Sequence, residues 1–180
     1  MTAEQRYEMF ASQIALVKND KNREFLKFCL AKTPEYFFHI PASSTGKYHP
    51  PFSLGEGGLV RHTKAVVAWY VDLQRWWEED TEDEAIIALV LHDSHKDGPG
   101  ENGTSRYTVK NHAEIAADAV HQWGVEFGLD HTLLDKICEG IRGHMGVWSS
   151  CYESRPKTQF AKKCSLADYC ASRKIGFEAL

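Results

Sequence analysis

The sequence has no excess of positive charge: 21 Lys and Arg stand against 25 Asp and Glu, a formal net charge of -4. An extended face for duplex nucleic acid needs clustered basic residues in excess, so that class is excluded. A local basic pocket for a nucleotide or a strand end is not. Long apolar runs are also missing. None approaches the roughly 20 residues that cross a bilayer, and no apolar leader opens the chain, so an intracellular, cytoplasmic protein without a membrane span is expected. The five cysteines (Cys29, Cys138, Cys151, Cys164 and Cys170) are odd in number and form no CxxC pair. That argues against a zinc ribbon or a disulfide framework and for reduced, mostly core thiols. Period-two alternation is sparse, and there is no internal repeat or low-complexity tract. No P-loop or Ser-His-Asp arrangement stands out, and GEGG at 55 to 58 lacks the strand and spacing of a dinucleotide-binding turn.

What is present is an ordinary globular composition, 43% hydrophobic and 26% charged over 180 residues, enough for one domain with a substantial core. Apolar residues recur at helical spacing almost throughout, which predicts an all-α fold. Tyr7, Phe10, Ile14 and Val17 predict a helix over 3 to 18, and Phe25, Phe28 and Cys29 a second over 21 to 32. Residues 34 to 56, rich in Pro, Gly and Ser, read as a long surface excursion. Its tip, Lys47, Tyr48 and His49, is either solvated decoration or a ligand contact. Further helices are expected over 58 to 79, from a Thr81/Glu84 capping box into His92, from an Asn111/Glu114 box to 127, from Asp130 to Gly143, and over 158 to 174. Trp69, Trp76, Trp77 and Trp123 fall within helices and are expected in the core, whereas Tyr48, Phe52 and Trp148 fall in loops and are placed to stack a base.

The stretch of greatest interest is AIIALVLHDSHKD, residues 85 to 97. Its first half is aliphatic, so the imidazole of His92 and the carboxylate of Asp93 are delivered into an apolar setting where each needs a partner. A lone His-Asp pair at the end of a core helix is more often a cap or salt bridge than a metal site. Other segments, however, contribute His62, His112, His144 and Asp168, each near a helix end or beside a small residue.

In this order the chain resembles the HD-domain superfamily of metal-dependent phosphohydrolases. The resemblance rests on GGLVRHT around His62, LVLHDSHK around His92 and Asp93, and SLADYCASRK around Asp168, and it spans residues 57 to 174. It implies a single HD-type helical domain over 1 to 180: N-terminal helices 1 to 33, loop 34 to 56 and a metal-binding core 57 to 174. GGLVRHT and ADYCASR look closest to the HD modules of 3'-to-5' exoribonucleases and nucleotide phosphohydrolases. The family's His, His-Asp and distant Asp correspond here to His62, His92, Asp93 and Asp168. NHAEIAA and RGHMG resemble the subset that holds two metals, with Asp93 bridging to a second ion held by His112 and His144. Four imidazoles and two carboxylates favour one or two divalent transition ions (Mn, Fe, Co, Ni or Zn) over Mg or Ca. Bridged ions would lower the pKa of a shared water and aim it at phosphorus.

The implied activity is cleavage of a phosphoester in a nucleotide or at an oligonucleotide end. Asp93 and Lys96 carry the chemistry, and Lys96, Arg61 and Arg142 are the candidate phosphate contacts. Each arginine is equally readable as a surface ion pair. The family often has an aliphatic residue and Gly between the doublet and the Lys, where this chain has Ser94 and His95. His95 is a ligand, a proton donor or neither. A di-iron oxygenase and a non-catalytic metal- or nucleotide-binding module are the alternative functions.

Overall fold

Helix formation follows the 3.6-residue period except where a contact from a distant segment outweighs it. The computed structural model describes residues 1–43 and 45–174, all helix and loop, with eight α-helices and no strand among them. The predicted helix over 3 to 18 is divided into α1 (Ala3–Met9) and α2 (Ala11–Leu16). The break falls at Phe10, whose backbone leaves the helical region (φ -113°, ψ 18°). Its ring is fully buried against Phe37 and Phe38, with centroids 6.0 and 6.5 Å away. Burying one aromatic ring is worth about 2 kcal/mol, more than one interrupted helical hydrogen bond.

Helix α3 (Asp20–Lys32) begins where Asn19 accepts from the Asn22 amide. At its other end Arg6 donates to the carbonyls of Ala31 and Thr33, at 2.8 and 2.7 Å. A cation at a helix C-terminus is favourable. The segment expected to be a surface excursion is anchored instead: Phe37 and Phe38, in a 3₁₀ turn at Glu35–Phe38, are buried in the core. Helix α4 (Gly58–Trp76) then starts so close to this segment that a Cβ on Gly58 would lie 2.2 Å from the Ser53 carbonyl oxygen.

Helix α5 (Asp83–Leu91) is the core of the bundle, with every residue from Ala85 to Leu91 buried. Neither expected capping box forms at this helix or at α6. Glu82 is the N-cap of α5 and makes no side-chain capping bond, because its carboxylate pairs with Lys136 and its neighbours also have distant partners. Asp83 accepts from the Lys18 and Asn19 amides at 2.8 and 2.9 Å, and Glu84 faces Lys136. Asn111 likewise makes no side-chain cap at α6 (His112–Phe127), and Glu114 accepts from Ser154. Helix α7 (His131–Gly143) has the expected Asp130 cap, and α8 (Gln159–Ala171) is capped by Thr158. Helices α5, α7 and α8 meet at Gly140, where a Cβ would lie 2.9 Å from that of Ala88 and 3.0 Å from the Phe160 ring.

Three tryptophans expected in the core are not there: Trp69, Trp76 and Trp77 are exposed, Trp76 by 83%. The face of α4 that is buried carries Leu59, Val66, Val67 and Tyr70 instead. Trp123 does pack against the core. All five cysteines are free, and Cys29, Cys138 and Cys164 are buried. Among the described residues no helix is long and apolar enough to cross a membrane.

Candidate metal centre

The ends of the central helices converge on one spot. His62 lies in the second turn of α4, His92 caps the C-terminus of α5, Asp93 follows in the next turn, His112 opens α6, His144 follows α7, and Asp168 sits in α8. All but Asp168 are essentially buried. Asp93 stands in two groups of donors whose ligand atoms lie within 4.8 Å of one another, one with His62 and His92, the other with His112 and His144. Asp168 joins the first through Oδ1, 3.0 Å from His62 Nε2 and 3.7 Å from His92 Nε2.

The backbone fixes how three of the rings present themselves. His92, His112 and His144 each place Nδ1 on the carbonyl three residues earlier: Leu89 at 2.6 Å, Val109 at 2.8 Å and Ile141 at 2.7 Å. A carbonyl accepts, so in each ring Nδ1 carries the proton and Nε2 carries the lone pair. Those Nε2 atoms turn inward. His92 Nε2 and Asp93 Oδ1 are buried without an aligned hydrogen-bond partner among the described residues, even though His92 Nε2 lies 3.5 Å from Asp93 Oδ2 and His112 Nε2 lies 3.1 Å from Asp93 Oδ1. His112 Nε2 and His144 Nε2 are 3.1 Å apart, so two lone pairs meet and something positive belongs between them. A buried acceptor without a donor is costly. Imidazole nitrogens and carboxylate oxygens at this spacing are the donor set of a first-row transition ion, and the residues therefore fit a divalent metal on each side of Asp93.

Electrostatics agree. Burial alone would raise the Asp93 carboxyl, but the Lys96 ammonium and the surrounding imidazoles hold it well below the usual carboxylate range. For Asp168 burial acts in the same direction and is outweighed by the His62 hydrogen bond and the neighbouring rings. Burial lowers His92 to about 4, which keeps the ring neutral. His144 is shifted upward, because Asp93 more than offsets burial.

Lys96 is buried, and its ammonium forms an ion pair with Asp93 Oδ2. The turn that carries it is closed by the Lys96 amide on the Asp93 carbonyl at 3.1 Å, and the Lys96 carbonyl accepts from Val109, next to the start of α6. Lys96 and Asp93 line a cavity of about 550 Å³, the size of a small-molecule site.

The two arginines expected at the phosphate are elsewhere. Arg61 donates to the carbonyls of Phe52 and Leu54 and so ties the 34–56 segment to α4. Arg142 pairs with Asp118 at 2.9 Å, the Arg side chain partly and the Asp side chain largely exposed. Neither lines the cavity. His95 turns away from the donors, bonds to Ser94 and lies 5.7 Å from the Trp123 ring, which leaves it outside both clusters. Of the loop aromatics expected near a base, Tyr48 and Trp148 line the cavity and Phe52 does not.

Several further wall residues lie in segments the sequence already marks: His49 at the loop tip, which here lines the cavity, and the rest in SLADYCASRK around Asp168. His49 stands with its ring 5.2 Å from that of His62. Ser165, Tyr169 and Ser172 share the cavity face of α8 with Asp168, and Arg173 follows at the rim. Ser165 and Ser172 were recoverable, because positions three and four residues from Asp168 share its face, whereas Tyr169 is one step along the helix.

A family model for the HD domain matches residues 59–173, well over half of the chain. No curated protein and no solved structure matches it.

Proposed function

We propose, for a chain that belongs to the HD-domain family of metal-dependent hydrolases, that this centre hydrolyses a phosphoester of a nucleotide or of an oligonucleotide end. The observation that carries the reading is Asp93: one carboxylate shared by two histidine clusters, paired with a buried lysine on the wall of a ligand-sized cavity. His62, His92, Asp93 and Asp168 would hold one divalent ion, and Asp93, His112 and His144 a second. Bound there, such ions supply Lewis acidity to a phosphate oxygen and bring the pKa of a water towards neutrality.

The remaining work falls to the protein's own groups. The Lys96 ammonium and a proton on the His112–His144 pair at most balance the carboxylates of Asp93 and Asp168, so the metal-free cluster has no surplus positive charge for a phosphate until cations are bound. Lys96 then offers its ammonium to the charge that develops on the phosphoryl oxygens. The Nδ1 bonds of His92, His112 and His144 hold the rings in place, so their Nε2 atoms need no reorganisation. The apolar wall residues Ala42 and Met145 limit water around the reacting group.

The test is hydrolysis of bis(p-nitrophenyl) phosphate and short oligonucleotides by protein supplied with Mn, wild type beside Asp93→Asn. Turnover by the wild type that is lost in the variant supports the reading. Turnover retained in Asp93→Asn contradicts it, and iron-dependent oxygen consumption without phosphate-ester cleavage would point to an oxygenase.

A further inference from the structure

Arg173 lies beyond the end of α8 at the rim of the cavity, among three aromatic rings. Its guanidinium carbon is 4.3 Å from the centroid of Tyr169, 5.5 Å from Tyr48 and 6.0 Å from Trp148. These rings come from α8, from the 34–56 segment and from the 3₁₀ turn after α7, so three distant parts of the chain meet on one cation. The backbone links this group to the metal centre: the Ser172 amide donates to the Asp168 carbonyl at 2.9 Å.

Two features set Arg173 apart from an ordinary surface arginine. Among the described residues no carboxylate pairs with its guanidinium, and its Nε is buried without a hydrogen-bond partner. Arg61 and Arg142, by contrast, each donate to protein oxygens. Ring faces that flank a guanidinium leave its donors free at the edge, in the planar fork that suits a phosphate or carboxylate. The rings themselves are open to solvent, Trp148 by 66% and Tyr48 by 54%. Exposed aromatic faces beside a guanidinium form a surface on which a planar base stacks.

We propose that Arg173, held by Tyr48, Trp148 and Tyr169, is the specificity residue of the substrate's distal end, and that the preferred substrate carries a second phosphate and a base beyond the phosphate at the metal centre. This rests on the phosphohydrolase reading above and narrows it. A mononucleotide with one phosphate satisfies the metal centre and leaves Arg173 empty, whereas a 5'-phosphorylated dinucleotide fills both.

The experiment compares pdApdA, which has two phosphates, with dApdA, which has one, on Mn-loaded protein. Wild type is expected to favour pdApdA by about tenfold in kcat/KM, mainly through KM, the size of one charge-assisted contact. Arg173→Gln brings that ratio close to one, and Arg173→Lys keeps part of it, because charge remains while the fork is lost. A wild-type ratio near one, or an unchanged ratio in Arg173→Gln, overturns the proposal. Trp148→Ala, at an exposed position, is the second variant: it lowers kcat/KM for both dinucleotides relative to bis(p-nitrophenyl) phosphate, and no change in that comparison overturns the ring platform. If wild type cleaves none of the three compounds, the phosphohydrolase reading fails. Calorimetric affinities for the two dinucleotides then decide the subsite by the same ratio.

Discussion

His112 and His144 face each other with their Nε2 atoms 3.1 Å apart, while each Nδ1 is tied to a backbone carbonyl. Neither ring can turn to relieve the contact without breaking its carbonyl bond, so the pair is held ready for a cation. Without metal, a proton on one ring is the substitute.

Metal should therefore stabilise the fold. Chelator-treated protein given Mn or Zn at a hundred times its Kd should gain about 2.7 kcal/mol, a rise in Tm of roughly 5–10 °C for a chain of this length. Calorimetry with and without metal measures it. An unchanged Tm would mean that the donors are satisfied without an ion.

Lys96→Ala separates binding from chemistry. The variant keeps Asp93 and all four histidines, so metal content should match wild type while kcat falls by about 10²-fold or more, as for removal of one charge-stabilising group. In metal-free protein the same change leaves a buried carboxylate without its ammonium and should cost about 3–5 kcal/mol. Parallel measurements of metal, kcat and Tm check both halves. Loss of metal in Lys96→Ala would make the lysine structural.

Gly140 couples packing to the site at a distance. A Val side chain there must displace Ala88 or Phe160, whose atoms would lie 2.9 and 3.0 Å from the new Cβ. Overpacking of this kind costs about 1–3 kcal/mol. Because α7 delivers His144 at its C-terminus, Gly140→Val should also weaken metal binding. Denaturant unfolding and metal titration read the two effects, and unweakened metal affinity in a destabilised variant would show that α7 does not set the position of His144.

The N-terminal clamp gives a pH dependence remote from the centre. Hydrogen bonds from the N-terminal ammonium, and then from Arg6, lower Glu35 from 4.5 to about 2. A depressed carboxyl stabilises the fold above its ordinary pKa, and that contribution is lost as pH falls from about 4.5 towards 2. Glu35→Gln should thus lower Tm at pH 6, and the difference from wild type should shrink through pH 3. A difference that does not vary with pH would show that the ion pair contributes nothing.

The sequence made the donors legible because each sits on a helix of clear periodicity and in the family's order. Where the side chains point was harder to read. Arg61 adjoins His62 in sequence, yet one step along a helix turns a side chain by roughly 100°, and its guanidinium meets loop carbonyls. Phe10 kept its place in the apolar pattern but broke the helix, because Phe37 and Phe38 arrive from a segment that composition marks as loop. Glu84 and Glu114 had the spacing of capping residues, and partners on other elements took them. Arg173 lies within SLADYCASRK, yet nothing local says what its guanidinium faces. Its surroundings come from residues more than 20 positions away as well as from its own helix. Local pattern decides which groups are available, and long-range packing decides what each one faces.

The most direct test of the account is metal content per chain, by elemental mass spectrometry, on protein purified without chelator, wild type beside His112→Ala. A centre divided by Asp93 predicts close to two ions in the wild type, falling towards one in the variant, with the His62 cluster still loaded. One ion or fewer in the wild type, unchanged in His112→Ala, would contradict a two-metal centre and leave the His112 and His144 pair to a proton.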